Sequence, residues 1–199
     1  NGLDQSFSGF DAGHLAHHHL IYPNVQAVHQ GINRRGYQGM RTCIYISGPP
    51  CSGKSTIAIA LQQVNSTIER IRGDDWWILY PELPFPDRLA ITNRHILEAL
   101  GKTTGRNIVC EWVPCGSFAS DLYEVSLAGN RRFLHVILTA PLSVLRQRKL
   151  IRDGDQNLGP PTMDTKAEDA PYSVMRFRTD NCCISTIVDE ISAWLSSCM

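Results

Sequence analysis

One stretch near residue 50 limits the possible folds more than any other, namely CIYISGPPCSGKSTIAIAL at residues 43–61. Its first five residues are mostly apolar, which is typical of a buried strand. A turn rich in glycine and proline follows at 48–53, and an apolar helical pattern begins at Lys54. A buried strand that leads through a tight loop directly into a helix begins a βα unit, so this stretch predicts an α/β fold.

The chain repeats this alternation of strands and helices from residue 41 onward. We predict strands near residues 43–47, 68–72, 107–112, 133–139 and 176–179 and helices near 54–64, 87–100, 117–128, 142–152, 164–173 and 184–196. The runs NIVCEW and FLHVILTA are almost continuously apolar, as strands covered on both faces are. The pattern therefore predicts a three-layer α/β/α fold with a mostly parallel five-stranded sheet and a short lid.

The first 39 residues differ from the rest of the chain. They are rich in glycine, histidine, asparagine and glutamine, and their hydrophobic periodicity is weak. We expect residues 1–39 to be a flexible leader and residues 40–199 to form one domain. His14 and His18 have the four-residue spacing of a helical metal site, but no carboxylate motif accompanies them, which favours an unspecific tract.

Composition argues against several classes of protein. The formal net charge is +0, so the basic footprint of a nucleic-acid-binding protein is missing. No run of 18 apolar residues predicts a membrane span. The seven cysteines are scattered, and Cys43 and Cys110 fall in apolar strands, which favours free thiols in a reducing compartment. We expect a cytoplasmic protein without a membrane or nucleic-acid partner, and its oligomeric state stays open.

The stretch from Gly48 to Ser55 fits the nucleotide-binding pattern G-x-x-x-x-G-K-[ST], with the required strand before it and the helix after it. We call residues 48–56 the phosphate loop; its members are Gly48, Pro49, Pro50, Cys51, Ser52, Gly53, Lys54, Ser55 and Thr56. Lys54 is predicted to reach the β- and γ-phosphates of ATP, and Ser55 to offer its hydroxyl to Mg²⁺. These features predict a P-loop NTPase fold that uses ATP and Mg²⁺.

A second polar feature follows the second predicted strand. Asp74 stands 20 residues after Lys54, at the carboxyl end of that strand, where ligands of open parallel sheets bind. A carboxylate at this place can accept the proton of an attacking hydroxyl or hold Mg²⁺ through water. The Asn-Lys-x-Asp sequence by which a GTPase reads guanine does not occur in the chain. This combination favours a small-molecule kinase.

The phosphate loop followed by Asp74-Asp75-Trp76 resembles the P-loop kinases with an Asp-Asp-aromatic motif, such as polynucleotide kinase and the nicotinamide riboside and uridine kinases. More generally the chain is similar to gluconate kinase, shikimate kinase and chloramphenicol phosphotransferase over residues 41–197. The resemblance implies that Asp74 is the base toward the acceptor hydroxyl, with Asp75 as the second choice.

The resemblance also implies roles for residues farther along the chain. Arg148 and Arg152 share a helix face and would grip the transferring phosphoryl group, while loop 153–163 would be the lid. The adenine would lie near Asp180 and Asn181, which alternatively form the N-cap of the last helix.

Three side chains are candidates for contact with the acceptor. Asp75 and Trp76 follow the proposed base directly, and Trp76 could stack on a ring of the acceptor. Glu111 is a charged residue at the end of an apolar strand, where it would meet Mg²⁺-bound water or the acceptor.

Together, these features predict an ATP-dependent phosphotransferase that moves the γ-phosphate of ATP to a hydroxyl of a small molecule such as a sugar, a nucleoside or an antibiotic. Two alternatives stay open: a polynucleotide 5′-hydroxyl kinase, and a non-catalytic ATP-binding protein of resistance or switching.

Overall fold

A computed structural model of the protein describes residues 41–159 and 170–197. In these residues one sheet contains five strands, β1 (Arg41–Ser47), β2 (Ile68–Arg72), β3 (Asn107–Trp112), β4 (Arg131–Thr139) and β5 (Ser173–Arg178). The helices of the same residues are α1 (Lys54–Val64), α2 (Gly73–Trp77), α3 (Phe85–Lys102), α4 (Phe118–Ala128), α5 (Leu142–Asp153) and α6 (Ile184–Ser196). The predicted α/β class is confirmed.

All neighbouring strands of the sheet are parallel, in the order β2-β3-β1-β4-β5. β1 lies in the middle, and the chain visits strands on both sides of it. Ser47 at the end of β1 pairs with Trp112 at the end of β3 and with Ile137 near the end of β4. The carboxyl ends of the central strands therefore meet at one edge, and the phosphate loop leaves β1 at that edge.

Side chains of β1 alternate between two hydrophobic cores, one on each face of the sheet. Ile44 and Ile46 pack with α1 and α6, whereas Cys43 and Tyr45 pack with α3 and α4. All four are completely buried, and each large apolar side chain buried in this way contributes about 1.5–3 kcal/mol. Cys43 and Cys110 are buried free thiols, as predicted, and burial raises the pKa of Cys43 to about 11.

The structure corrects two expectations about local structure. Residues 170–172 do not continue the helix predicted near 164–173, and Ser173 begins β5; residues 164–169 lie outside the described part of the chain. Pro171 explains the correction, because proline lacks the N–H that a helix needs and disfavours helical backbone at the residue before it. No helix was predicted after β2, yet α2 begins there at once.

The remaining predicted helices and strands form within two residues of their predicted bounds, apart from the start of β5. Of the predicted lid, 153–159 are described: α5 ends at Asp153 and Gly154 follows in the left-handed conformation with φ of 72°. Residues 160–163, the predicted leader 1–39 and its histidines lie outside the described residues. Across 41–159 and 170–197, no helix is long and apolar enough to cross a membrane.

Candidate active site

A cleft of about 400 Å³ opens at the carboxyl edge of the sheet. Described residues that line it are 50–57, Asp74, Val113, Arg148, Arg152, Thr179, Cys182, Ile184 and Ile187. They come from the phosphate loop and α1, from α2, α5 and α6, from the residue after β3, and from the chain between β5 and α6. Local sequence places only the loop; the parallel order of the strands brings the rest to the same edge.

The phosphate loop has the backbone of an anion cradle. Cys51 and Gly53 have left-handed φ values of 63° and 99°, and such residues beside right-handed ones turn successive N–H groups toward one point. At Gly48 a Cβ would lie 2.5 Å from the carbonyl oxygen of Leu138 and 2.6 Å from Oγ of Ser52, so only glycine fits. The N-terminus of α1 adds its partial positive charge.

Lys54 is held by the loop that it follows. Its Nζ donates to the carbonyl oxygens of Gly48 at 2.9 Å and Pro49 at 3.1 Å. Removal from water lowers the pKa of the amine to about 8, although attraction by Asp74 and Glu111 opposes the shift. The two neutral carbonyls are weaker acceptors than charged phosphate oxygens, so an anion entering the cleft can take the ammonium from them.

Only the first of the two adjacent aspartates lies in the cleft. Asp74 lines it and attracts both Lys54 and Arg152. Asp75 instead pairs with Arg72, with 3.2 Å between its Oδ1 and the guanidinium Nη1. Successive residues of a helix point about 100° apart, so the start of α2 at Gly73 separates the two carboxylates. The geometry thus favours Asp74 over Asp75 as the base.

Glu111 belongs to β3, is not among the described residues that line the cleft, and contacts two arginines of the neighbouring strand β2. It is 4% exposed, accepts a hydrogen bond from Nη2 of Arg70 and lies 3.6 Å from Nε of Arg72. Its Oε2 has no hydrogen-bond partner among the described residues. The carboxylate is therefore largely compensated by two arginines, and its proposed contact with Mg²⁺-bound water or acceptor stays a prediction.

Trp76 packs against α3. It stacks on His95 with 6.2 Å between ring centroids, and Trp77 beside it lies 5.7 Å from the ring of Trp112. Neither tryptophan is among the described residues that line the cleft. A contact of Trp76 with the acceptor stays a prediction and would require a second surface next to Asp74.

Two of the three arginines of α5, Arg148 and Arg152, line the cleft but have different partners. Arg148 donates to the carbonyl oxygen of Thr179 at 2.6 Å, to its hydroxyl at 2.9 Å and to the carbonyl oxygen of Cys51 at 3.4 Å. Arg152 forms two hydrogen bonds with its neighbour Asp153, at 2.7 and 2.8 Å, and is 61% exposed. Arg148 therefore ties the phosphate loop to the chain after β5, while Arg152 stays accessible.

Sequence reasoning did not predict five of the lining residues, namely Val113, Thr179, Cys182, Ile184 and Ile187. Their only sequence signal is the apolar helical spacing of α6, which indicates a core-facing stripe and not a ligand site. Asp180 and Asn181 were expected there and are not among the described lining residues. The alternative that they cap α6 is wrong, because its N-cap is Cys183.

The cleft residues fit a nucleoside triphosphate. The backbone of Cys51 and Gly53 is left-handed at the start of α1, and Oγ of Ser52 is buried without a partner among the described residues. Mg²⁺ would be held by the hydroxyl of Ser55 and, through water, by Asp74 or Glu111. Within the described chain, no three or more His, Cys, Asp or Glu side chains form a group that could hold a metal ion.

Neither a protein-family model nor a curated protein sequence matches the chain. Solved structures do match. A gluconokinase from Sinorhizobium meliloti 1021 is 20% identical with a TM-score of 0.58, covering 79% of this chain and 93% of that one. The APS kinase of Mycobacterium tuberculosis, in complex with AMPPNP and APS, is 16% identical with a TM-score of 0.61, covering 79% and 98%.

A tunicamycin resistance protein from Deinococcus radiodurans is also similar. It is 18% identical with a TM-score of 0.55, covering 78% of this chain and 95% of that one. At such identities the likeness concerns the fold. The chain has the fold of the P-loop kinases, with five parallel strands and flanking helices, which confirms the predicted fold class.

Proposed function

We propose that the protein is an ATP-dependent phosphotransferase that moves the γ-phosphate of ATP to a hydroxyl of a small molecule. One observation carries the proposal: Asp74 lines the same cleft as the phosphate loop and attracts Lys54 and Arg152. A carboxylate beside the phosphates can hold Mg²⁺ through water, and it can also accept the proton of an attacking hydroxyl. A base for an acceptor hydroxyl must stand there.

The reaction follows from these positions. The acceptor oxygen forms a bond to the γ-phosphorus, and the bond from that phosphorus to the β–γ bridging oxygen breaks, so ADP leaves. The hydroxyl proton passes to the carboxylate of Asp74. Lys54 and Arg152 offset the negative charge on the transferring group. Mg²⁺, when bound beside Ser55, neutralises phosphate charge.

Replacing the base tests the proposal. Asp74→Asn preserves size but cannot accept the proton, so we expect transfer to fall by about 100-fold or more while ATP affinity holds or rises. Asp75→Asn is the matched control, because its carboxylate pairs with Arg72 outside the cleft, and its transfer rate should stay near that of the wild type. Wild-type transfer by Asp74→Asn would contradict the assignment of the base.

The acceptor can be identified by mass spectrometry of the reaction products. The purified protein is incubated with ATP, Mg²⁺ and a panel of hydroxyl compounds, and products that gain one phosphate are sought. Sugars, nucleosides and antibiotics belong in the panel, since similar folds include a gluconokinase and a tunicamycin resistance protein. A DNA oligonucleotide with a free 5′-hydroxyl is included, and its phosphorylation would favour a polynucleotide kinase.

A further inference from the structure

A second part of the cleft is formed by residues that follow β5, the region in which the adenine was expected near Asp180 and Asn181. Cys182, Ile184 and Ile187 form it, and we call these residues the base wall. Phosphates held by the loop leave this part for the nucleoside, because Lys54, Asp74 and Arg152 belong to other elements and Arg148, the remaining charged lining residue, is bonded to Thr179 and Cys51. What the base wall offers to a base therefore decides which nucleotides can be donors.

The base wall is apolar. Ile184 is the first residue of α6 and is 48% exposed, whereas Ile187, one turn later, is buried. The thiol of Cys182 donates to the carbonyl of Cys183, and its backbone N–H to the carbonyl of Arg178 at 3.1 Å. The isoleucine side chains can pack on the face of any base. Both donors of Cys182 are already used in hydrogen bonds within the protein.

Thr179, the polar residue next to the base wall, is already bonded. Its carbonyl and hydroxyl oxygens both accept from Arg148, at 2.6 and 2.9 Å. Its N–H donates to the carbonyl oxygen of Thr139 at 2.8 Å, and its hydroxyl lies 3.3 Å from the same oxygen. Arg148 thus covers the acceptors by which this strand end could have read a base edge.

Bases of equal size differ mainly in the polar groups on their edges. Adenine carries an amino donor where guanine carries a carbonyl acceptor. Apolar contacts discriminate weakly between ligands of similar size, whereas committed hydrogen-bonding groups discriminate by orders of magnitude, because the wrong ligand leaves them unpaired. The isoleucines of the base wall make apolar contacts, and the polar atoms of Thr179 beside them are bonded to Arg148 and Thr139. This surface should therefore discriminate weakly between bases.

We propose that the donor site accepts purine nucleoside triphosphates without selecting adenine over guanine, because the base wall is apolar and Arg148 occupies the acceptors of Thr179. The inference rests on the proposed function, since it concerns the donor of that reaction. It names the donor class as purine nucleoside triphosphates, held by their phosphates and by contact with the face of the base.

Direct binding tests the inference without knowledge of the acceptor. Calorimetric titration of the full chain with ATP and with GTP, each with Mg²⁺, should give dissociation constants within about tenfold of each other. A preference for either purine above that factor would overturn the inference and leave the proposed kinase function intact. If neither triphosphate binds, the proposed function itself fails.

A pair of isoleucine variants tests the base wall. Ile184→Ala should weaken ATP and GTP by the same factor, about tenfold, because it removes contact area and no edge contact. Ile59→Ala is the matched control: Ile59 lies on α1, is 44% exposed and does not line the cleft, so its affinities should equal those of the wild type. Unchanged binding by Ile184→Ala, or a loss of affinity for one purine only, would contradict the proposed contact between the base wall and the base.

Discussion

Two parts of the cleft differ in chemical character, since the residues near the phosphate loop are charged and the base wall is apolar. At the phosphate end, one contiguous loop supplies inward N–H groups and a lysine, and Arg152 and Asp74 add charge. At the other end, the base wall supplies isoleucine side chains and a thiol, next to a threonine whose polar atoms are bonded. Affinity should therefore come chiefly from the phosphates, with the base contributing contact area.

The largest test of this comparison removes the charge of the phosphate end. Lys54→Met should weaken ATP binding by about 100-fold or more, because bonds from a charged donor contribute about 1.5–3 kcal/mol and Lys54 would make them to phosphates. Lys102→Met is the control, since Lys102 is 79% exposed on α3 and pairs with Glu98. Calorimetric titration measures both; a loss below tenfold would show that the base end carries the affinity.

A second test uses pH. The pKa of Lys54 is about 8 because burial disfavours its charge, and a bound triphosphate favours the charged form. Above pH 8 the free protein loses this proton and must recover it on binding, so the dissociation constant of ATP should rise by up to about tenfold per pH unit. Titration between about pH 7 and about pH 9, roughly one unit on either side of the pKa, measures the slope. Lys54→Met should show a flat profile; a sloping one would assign the effect elsewhere.

The smallest effect separates the two arginines of α5 that line the cleft. Arg148→Ala removes three hydrogen bonds, two from α5 to Thr179 and one from α5 to the phosphate loop. The free energy of unfolding should therefore fall by about 1–3 kcal/mol. The melting temperature should fall by about 2–4 °C for each kcal/mol. Arg152→Ala should barely change it, because its pair with Asp153 is solvated, but should slow transfer.

Thermal unfolding and a transfer assay on both variants distinguish these roles. Arg146→Ala, an exposed arginine of the same helix, is the control and should change neither quantity. Equal losses of stability in Arg148→Ala and Arg152→Ala would contradict the division between a tying arginine and an accessible one.

Much of the fold was predictable because its signals are local. Apolar runs gave β1, β3 and β4, and helical spacing gave α1 and α6 with their observed bounds. The helix predicted over 164–173 failed where Pro171 and the pairing of β5 with β4 prevail. A strand of mixed exposure such as β5 carries a weak local signal, and its place is decided by the neighbouring strand.

The candidate site divides in the same way. The phosphate loop could be recognised because all its parts are consecutive residues. Only the resemblance ranked Asp74 before Asp75, since both are aspartates after the same strand. The direction in which α2 begins at Gly73 separates them, and Trp112 fixes that start, because a Cβ at Gly73 would lie 2.0 Å from its ring.

By itself, the sequence determined the strand, loop and helix that can cradle a phosphate, because those conformations depend on glycine freedom and on hydrophobic runs within about twenty residues. Only the tertiary structure decided what faces that cradle. The order of parallel strands brought Thr179, Ile184 and Arg148 beside a loop that lies about a hundred residues earlier. Packing between distant elements set those contacts, and no local pattern in the chain encodes them.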